Sequence, residues 1–268
     1  MSNSLVGKTA LITGSTRTGI GATTAMMLAS KGANIILNYG TGGTGREAGQ
    51  RAEKLRQKVA ATNPNVVVLE AAVDSEKEVK KLFARTAERF GSVDILVNNA
   101  GGLWIEQDFA QIETGHWNQA VRRELDGTFY CIREALPPMR AKRWGRIINV
   151  GLHYVVMELL VNAQYGNVLD KYPYDFAIAK HAKQQITGLL ALAEFKHGIT
   201  INNVLPGIIE TIDNDRALEI IQAHSPQEIF FNPVDVANAI LYLCSEEARG
   251  ITQSDIRIPG NFYRLKQQ

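Results

Sequence analysis

Short runs of aliphatic and β-branched residues alternate along the chain with longer segments in which apolar positions recur at helical spacing. The short runs are 8–13 (KTALIT), 34–38 (NIILN), 66–72 (VVVLEAA), 95–98 (ILVN), 146–150 (RIINV), 200–204 (TINNV) and 256–258. Helical spacing marks 21–31, 47–61, 75–90, 117–139, about 175–197, 215–223 and 234–244. Runs that are apolar at nearly every position belong to strands covered on both faces, and their alternation with helices is the pattern of parallel crossover units. The chain is therefore expected to be α/β, with a doubly wound parallel sheet of about seven strands flanked by helices.

No Pro- or Ser-rich linker interrupts this rhythm, so a single domain over 1–268 is expected, a size that one core can still fill. Two segments break the pattern. One is GTGGTGRE (40–47) after the second strand. The other is 151–174, an active-site insert between a strand and its helix, of a length that is usually functional. Composition adds exclusions. Lys and Arg total 29 against 27 acids, a net charge of +2 spread along the chain, which points to neither nucleic acid nor a membrane surface. Cys131 and Cys244 lie far apart in helical patterns, so no disulfide or thiolate metal site is expected, and a reducing cytoplasm is the expected compartment. Residues 1–15 lack a basic segment followed by a long apolar run, and YVVMELLV (154–161) is short and interrupted by Glu158, which predicts a soluble chain. There is no HExxH, GxSxG or Cys/His cluster, so hydrolytic and metal-assisted chemistry are set aside.

The turn after the first run reads TGSTRTGIG (13–21). Glycines there permit a tight turn and close approach of backbone N–H groups to a pyrophosphate, which then sits on the positive end of the next helix. Asp74 follows the third strand, NNAG (98–101) the fourth and PGIIET (206–211) the sixth, before the closing VANAILYLCSEEARGIT. In order and separation these motifs resemble the short-chain dehydrogenase/reductases over nearly the whole chain.

The resemblance implies a Rossmann-type fold and a nicotinamide dinucleotide. Gly14, Gly19 and Gly21 would line the pyrophosphate, within a loop completed by Ser15, Thr16, Arg17, Thr18 and Ile20. Asp74 would accept from the adenine amine, and Asn99, Ala100 and Gly101 would lie by the adenine ribose. Pro206, Gly207, Ile209 and Thr211 would flank the nicotinamide end, Thr211 reaching the carboxamide or a phosphate, and Lys180 would hold the nicotinamide ribose hydroxyls. The first motif departs from the family: Ser15 to Thr18 separate two glycines usually three residues apart. The second strand ends in Asn38 and Tyr39, and no acid follows until Glu47. An acid there would bind a ribose 2′-hydroxyl and repel a 2′-phosphate. Its absence, with Arg17 and Arg46 nearby, favours NADP, with NAD possible. A homodimer or homotetramer packed through 117–139 and 176–197 is also implied, acting on a small-molecule substrate.

The family's carbonyl reduction uses a Tyr acid, a Lys four residues later, a Ser and an Asn. Lys180 matches the Lys, but Phe176 stands at the Tyr, Gly151 and Leu152 where the hydroxyl is expected, and Glu124 at the Asn. A hydride delivered to a ketone leaves an alkoxide that needs a proton, and Phe supplies none. Three readings follow. In the first the acid has moved into the insert or its edges, where His153, Tyr154, Tyr165, Asp170, Lys171, Tyr172, Tyr174 and Asp175 lie. Tyr172 precedes Pro173 and is biased to extended backbone, from which it could project to the site, whereas Tyr174 sits about 200° round a helix from Phe176. In the second the substrate is an iminium or a conjugated acceptor, with Glu124 steadying a cation above an apolar floor of Phe176 and Leu152. Against it stands an exposed Glu124 paired with Arg122 or Arg123. In the third, redox chemistry is lost and the chain is a nucleotide-binding pseudoenzyme, a regulator, an isomerase or a cyclase. The expectation is an atypical NADP(H)-dependent oxidoreductase acting on a small or medium organic substrate.

Overall fold

In the computed structural model, the described residues are 4–16, 18–40, 45–102, 105–153, 171–207 and 232–258, with backbone alone at 45–46. Strands β1 (Thr9–Ile12), β2 (Asn34–Tyr39), β3 (Val66–Glu70), β4 (Ile95–Asn98), β5 (Gly145–Val150), β6 (Ile199–Pro206) and β7 (Asp255–Ile258) form one parallel sheet in the order β3-β2-β1-β4-β5-β6-β7. Helices α1 (Ile20–Ser30), α2 (Gly45–Ala60), α3 (Glu76–Phe90), α4 (Thr114–Val121), α5 (Gly127–Lys142), α6 (Tyr174–Phe195) and α7 (Pro233–Cys244) cover its faces. The helix expected over 215–223 lies outside the described residues.

The continuous apolar runs are explained by the two-residue period of a strand. Ala10 and Ile12, Ile35 and Leu37, Ile95 and Val97, and Ile148 and Val150 face a core built with α1, α2 and α7. Leu11, Ile36, Leu96 and Ile147 face the opposite core, built with α3, α5 and α6. Strand order reverses at β1, whose neighbours are β2 and β4. The loops leaving β1 and β4 therefore diverge and open a crevice at the carboxyl edge of the sheet, where ligands of such folds bind.

Local chemistry fixes the connections. The Ser75 side chain caps α3 by accepting from Glu78 N–H, while the Glu78 carboxylate accepts from Ala72 N–H at 2.5 Å, which clamps the loop carrying Asp74. The uninterrupted helix expected over 117–139 is instead α4 and α5 joined by a π-helical turn, Arg122–Asp126. Such a turn widens the helix by one residue and changes the direction of its side chains. Here it buries Glu124 completely.

Candidate active site

One end of the crevice is framed by side chains whose hydrogen bonds go to neighbouring backbone. Gly14 has φ +62°, and a Cβ there would fall 2.8 Å from Ala100 Cα, so only glycine lets the two loops close together. Thr13 Oγ1 accepts from Asn99 N–H and Ala100 N–H, both at 3.0 Å, and Asn99 Nδ2 donates to the carbonyls of Thr13 and Gly14. Asn38 is buried; its Nδ2 donates to Ala71 O at 3.0 Å and Leu69 O at 3.2 Å, and its Oδ1 accepts from Gly14 N–H. Ser15 N–H is spent on Asn38 O at 2.9 Å. Ser15, Asn38 and the Asn99 side chain, expected as ligand contacts, thus serve the framework, because buried polar groups here are satisfied by neighbouring backbone.

Anion-binding donors are still available. The N-terminal backbone bond of α1 runs from Thr23 N–H to Gly19 O at 3.1 Å, so the N–H groups of Ile20, Gly21 and Ala22 belong to the open helix end. Alongside lies a cleft of about 390 Å³ whose lining includes Gly14, Thr16, Tyr39, Asp74, Asn99–Gly102, Arg51 and Arg123. The glycine turn, the helix end and this cleft fit a dinucleotide. Arg123 stands 4.0 Å from Asp74, and Arg51 pairs with Glu47 at 3.7 Å. Neither arginine was anticipated as a lining residue; the signal for Arg51 was its place one helical turn after Glu47, just beyond the loop that follows β2. Arg17, Ile209 and Thr211 lie outside the described residues, as does the side chain of Arg46.

The other end of the crevice is a cavity of about 310 Å³ bounded by Ile20, Asn99, Gly101, Gly102, Val150–Leu152, Phe176, Lys180, Pro206 and Gly207. Lys180 and Phe176 both line it, one helical turn apart, with Lys180 Nζ 5.4 Å from the Phe176 ring centroid. Lys180 Nζ donates to Val150 O at 3.2 Å and lies 3.5 Å from Glu124 Oε2. The same oxygen accepts from Lys183 Nζ at 2.8 Å, and Glu124 Oε1 accepts from Gly102 N–H at 2.8 Å. Glu124 is therefore neither exposed nor paired with Arg122 or Arg123. Arg122 caps Asn118 O and Arg123 turns to Asp74. Gly101 permits this packing, since a Cβ there would collide with Glu124 Oε1.

Burial alone would push the Glu124 carboxyl up, but Lys180, then Lys183 and the Gly102 N–H, outweigh it and hold its pKa below the ordinary value. Burial pushes Lys180 down to about 8, against the pull of Glu124 and with help from Lys183. Lys183 was missed from the sequence. Its only signal was helical phase: it follows Lys180 by three residues and Phe176 by seven, on the inward face of an Ala-rich helix.

The expected proton donors of the insert are placed differently. Tyr154, Tyr165 and Asp170 lie outside the described residues, and Lys171 is exposed. Neither His153, Tyr172 nor Tyr174 is among the described residues lining the cavity. His153 is buried, its N–H on Pro206 O at 3.1 Å. Tyr172 does not project: it is 1% exposed, bridged to Gln107 through backbone and packed with Leu152, Tyr174, Phe176 and Ala177. Burial, with Tyr174, pushes its phenol up to about 12, which weakens it as an acid. Tyr174 opens α6, edge-on to Phe109 at 5.5 Å and to Tyr172 at 5.3 Å. Asp175 accepts from Phe176 N–H at 2.8 Å.

Beneath the cavity a polar row anchors α6. Strand register aligns Asn98 with Asn149, Asn149 with Asn203, and Asn203 with Asp255. Asn98 donates to Asn149 (2.8 Å), Asn149 to Thr187 (3.0 Å), Thr187 to Asn203 (2.7 Å) and Asn203 to Asp255 (2.8 Å). Gln184 Nε2 adds a bond to Leu152 O at 2.8 Å. Together these bonds fix the rotation of the helix that carries Lys180 and Lys183.

A parallel sheet with a glycine turn at its switch point and a lysine-lined cavity at the same edge defines a Rossmann-type protein with its ligand crevice at the switch point. The chain belongs to the short-chain dehydrogenase/reductase family: the profile described as enoyl-(acyl carrier protein) reductase matches residues 14–260. D-beta-hydroxybutyrate dehydrogenase of Rhizobium meliloti (strain 1021) is 31% identical over 272 residues, covering 95% of this chain and 98% of that protein. The 3-oxoacyl-(acyl-carrier-protein) reductase FabG of Aquifex aeolicus (strain VF5) is 33% identical over 263 residues, covering 97% and 98%. A crystal structure described as a gluconate dehydrogenase from Agrobacterium tumefaciens superimposes with a TM-score of 0.79 at 26% identity, covering 99% of this chain and 100% of that one. The relatives are named as dehydrogenases and reductases. Among the described residues no helix is long and apolar enough to cross a membrane, and no cluster could hold a metal ion.

Proposed function

We propose that the protein is an NADP(H)-dependent reductase of carbonyl or conjugated carbonyl compounds, in which the ammonium of Lys180 does the work of the missing tyrosine. One observation carries this reading: Lys180 is a buried cation at the cavity wall whose hydrogen bond to Val150 O and contact with Glu124 account for two of its three N–H groups. Among the described residues nothing takes up the third, which can meet a substrate oxygen. A bound reduced nicotinamide supplies the hydride. As negative charge develops on the carbonyl or enolate oxygen, Lys180 stabilises it and transfers a proton to it, then takes one back from water. A donor whose pKa is pushed down to about 8 is well matched to this task near neutral pH.

The charges also favour one of the sequence readings over another. Both Glu124 oxygens are occupied, by Gly102 on one side and by Lys183 and Lys180 on the other. The carboxylate charge is already shared by two lysines, and two lysines against one acid make the site positive. That supports an oxyanion rather than a cation. Phe176 and Leu152 give the substrate an apolar wall. Arg51 and Arg123 in the cleft, with no acid at the end of β2, support a 2′-phosphate and hence NADP. Ile178, Leu189, Leu192 and Phe195 expose apolar surface on α6, as Phe129 does on α5, which supports pairing of two copies through these helices.

The test is a fluorescence titration with NADPH and NADH, followed by the absorbance of the reduced cofactor against ketone, enone and imine panels. Turnover on ketones or enones is expected, and Lys180→Met should lower it by about 10²- to 10⁴-fold. Turnover confined to imines, or undiminished turnover in Lys180→Met, would reject the proton-donor role. Tight binding of NADPH with no turnover on any panel would favour a nucleotide-binding protein without redox chemistry.

A further inference from the structure

We propose that Lys183 is a positioning residue: by occupying the nearer place on Glu124 it keeps Lys180 turned to the cavity rather than closed on the carboxylate. The proposal deepens the proton-donor reading of Lys180 and rests on it for its functional meaning. The geometry is a chain of three buried charges in which one carboxylate oxygen serves two ammonium groups unequally, 2.8 Å to Lys183 and 3.5 Å to Lys180. Lys183 is 0% exposed. No ordinary surface role accounts for a lysine there, and burying it is costly unless its partner is fixed. Its partner is fixed: Glu124 Oε1 is held by Gly102 N–H, and the π-helical turn is tied by Thr128 Oγ1 to Glu124 O at 2.7 Å.

Without Lys183 the strongest attraction left for Lys180 would be Glu124 itself. Lys180 would close that gap, commit an N–H to a tight ion pair and retire from the cavity. The groups facing Lys180 leave few alternatives. The π turn contributes Glu124, α6 contributes Lys183 and the Phe176 ring, and the end of β5 contributes the uncharged Val150 carbonyl. The neighbouring tyrosines, Tyr172 and Tyr174, pack with Phe176 and are not among the described residues lining the cavity. The Lys183 charge also opposes protonation of Lys180, so both effects of its removal act in one direction.

The test reads the lysine directly and needs no substrate. Trace labelling with acetic anhydride over a pH series, quantified at Lys180 by peptide mass spectrometry, yields its titration midpoint in the full-length protein. In Lys183→Met the midpoint should rise by about one pH unit or more, read as about fivefold or more slower labelling at pH 8. Lys183→Arg should restore wild-type labelling. An unchanged or lowered midpoint in Lys183→Met overturns the proposal, as does failure of the arginine variant to rescue. Should Lys183→Met not fold, Glu124→Gln/Lys183→Met takes its place. With no carboxylate to close on, Lys180 should then label at least as fast as in the wild type at pH 8, and slower labelling overturns the proposal. Failure of the proton-donor reading shows separately, as undiminished carbonyl reduction by Lys180→Met.

Discussion

The two ends of the crevice lie along one edge of one sheet and are built from opposite materials. At the glycine-turn end, polar side chains such as Asn38 and Asn99 are neutral and spend their hydrogen bonds on backbone, leaving a trough bordered by a helix end. At the Lys180 end, two ammonium groups and a carboxylate are buried together. A neutral frame holds its shape whatever occupies it, whereas a buried charge chain is stable only while every member is present. The first end is therefore tolerant and binds; the second is poised, and its charge state can change when a substrate arrives.

The sharpest way to break this contrast is Glu124→Leu, which leaves Lys183 buried without a counter-charge. It should cost about 3–5 kcal/mol of stability in urea denaturation. Glu124→Gln/Lys183→Met should cost less, because the one lysine left without a counter-charge, Lys180, has its pKa pushed down to about 8 and can release its proton. A change at the glycine-turn end is expected to be milder. Arg51→Ala should weaken NADPH by about tenfold, or about 1.4 kcal/mol, and leave NADH nearly unchanged, read by the same fluorescence titration.

Acidity separates the ends further. Because the folded-state pKa of Lys180 is depressed, the unfolded chain binds the extra proton between about pH 8 and the ordinary lysine range. Lys180 thus penalises the fold below about pH 8, and stability should rise with pH through that window. Lys180→Met should flatten this rise. The Glu124 carboxyl has the opposite sign: depressed in the folded state, it contributes stability above the ordinary carboxylate range, which is lost on acidification through its folded pKa. The smallest effect expected is at Phe176. If Lys180 is the acid, Phe176→Tyr should leave the rate of the native reaction within about twofold, since about 10²-fold or more is expected only where a missing acid is supplied. A large gain would mean that the site is a weakened tyrosine site.

Much of this was legible in the chain. Runs such as NIILN and ILVN announced strands with two buried faces, because a strand shows alternate side chains to two cores and both here are apolar. The four-residue step from Phe176 to Lys180 placed both on one helix face before any coordinate was known. The turn TGSTRTGIG announced the crevice, but not which amides stay free, since that depends on Asn38 reaching back from the next strand. Tyr172 looked like a projecting loop residue, and it is walled in by residues from the end of β5 and the first turn of α6.

The sequence by itself determined the parallel sheet and the placing of Phe176 and Lys180 on one helix face, because these follow from periodicity and short spacings. Only the tertiary structure decided the partner of Glu124. A carboxylate next to Arg122 and Arg123 reads as a surface ion pair, yet the π-helical turn carries it inward to Lys183, 59 residues away. Sequence neighbours compete for a charge only where water screens them weakly. The fold, by removing water from one side of that helix, chose the distant lysines over the adjacent arginines.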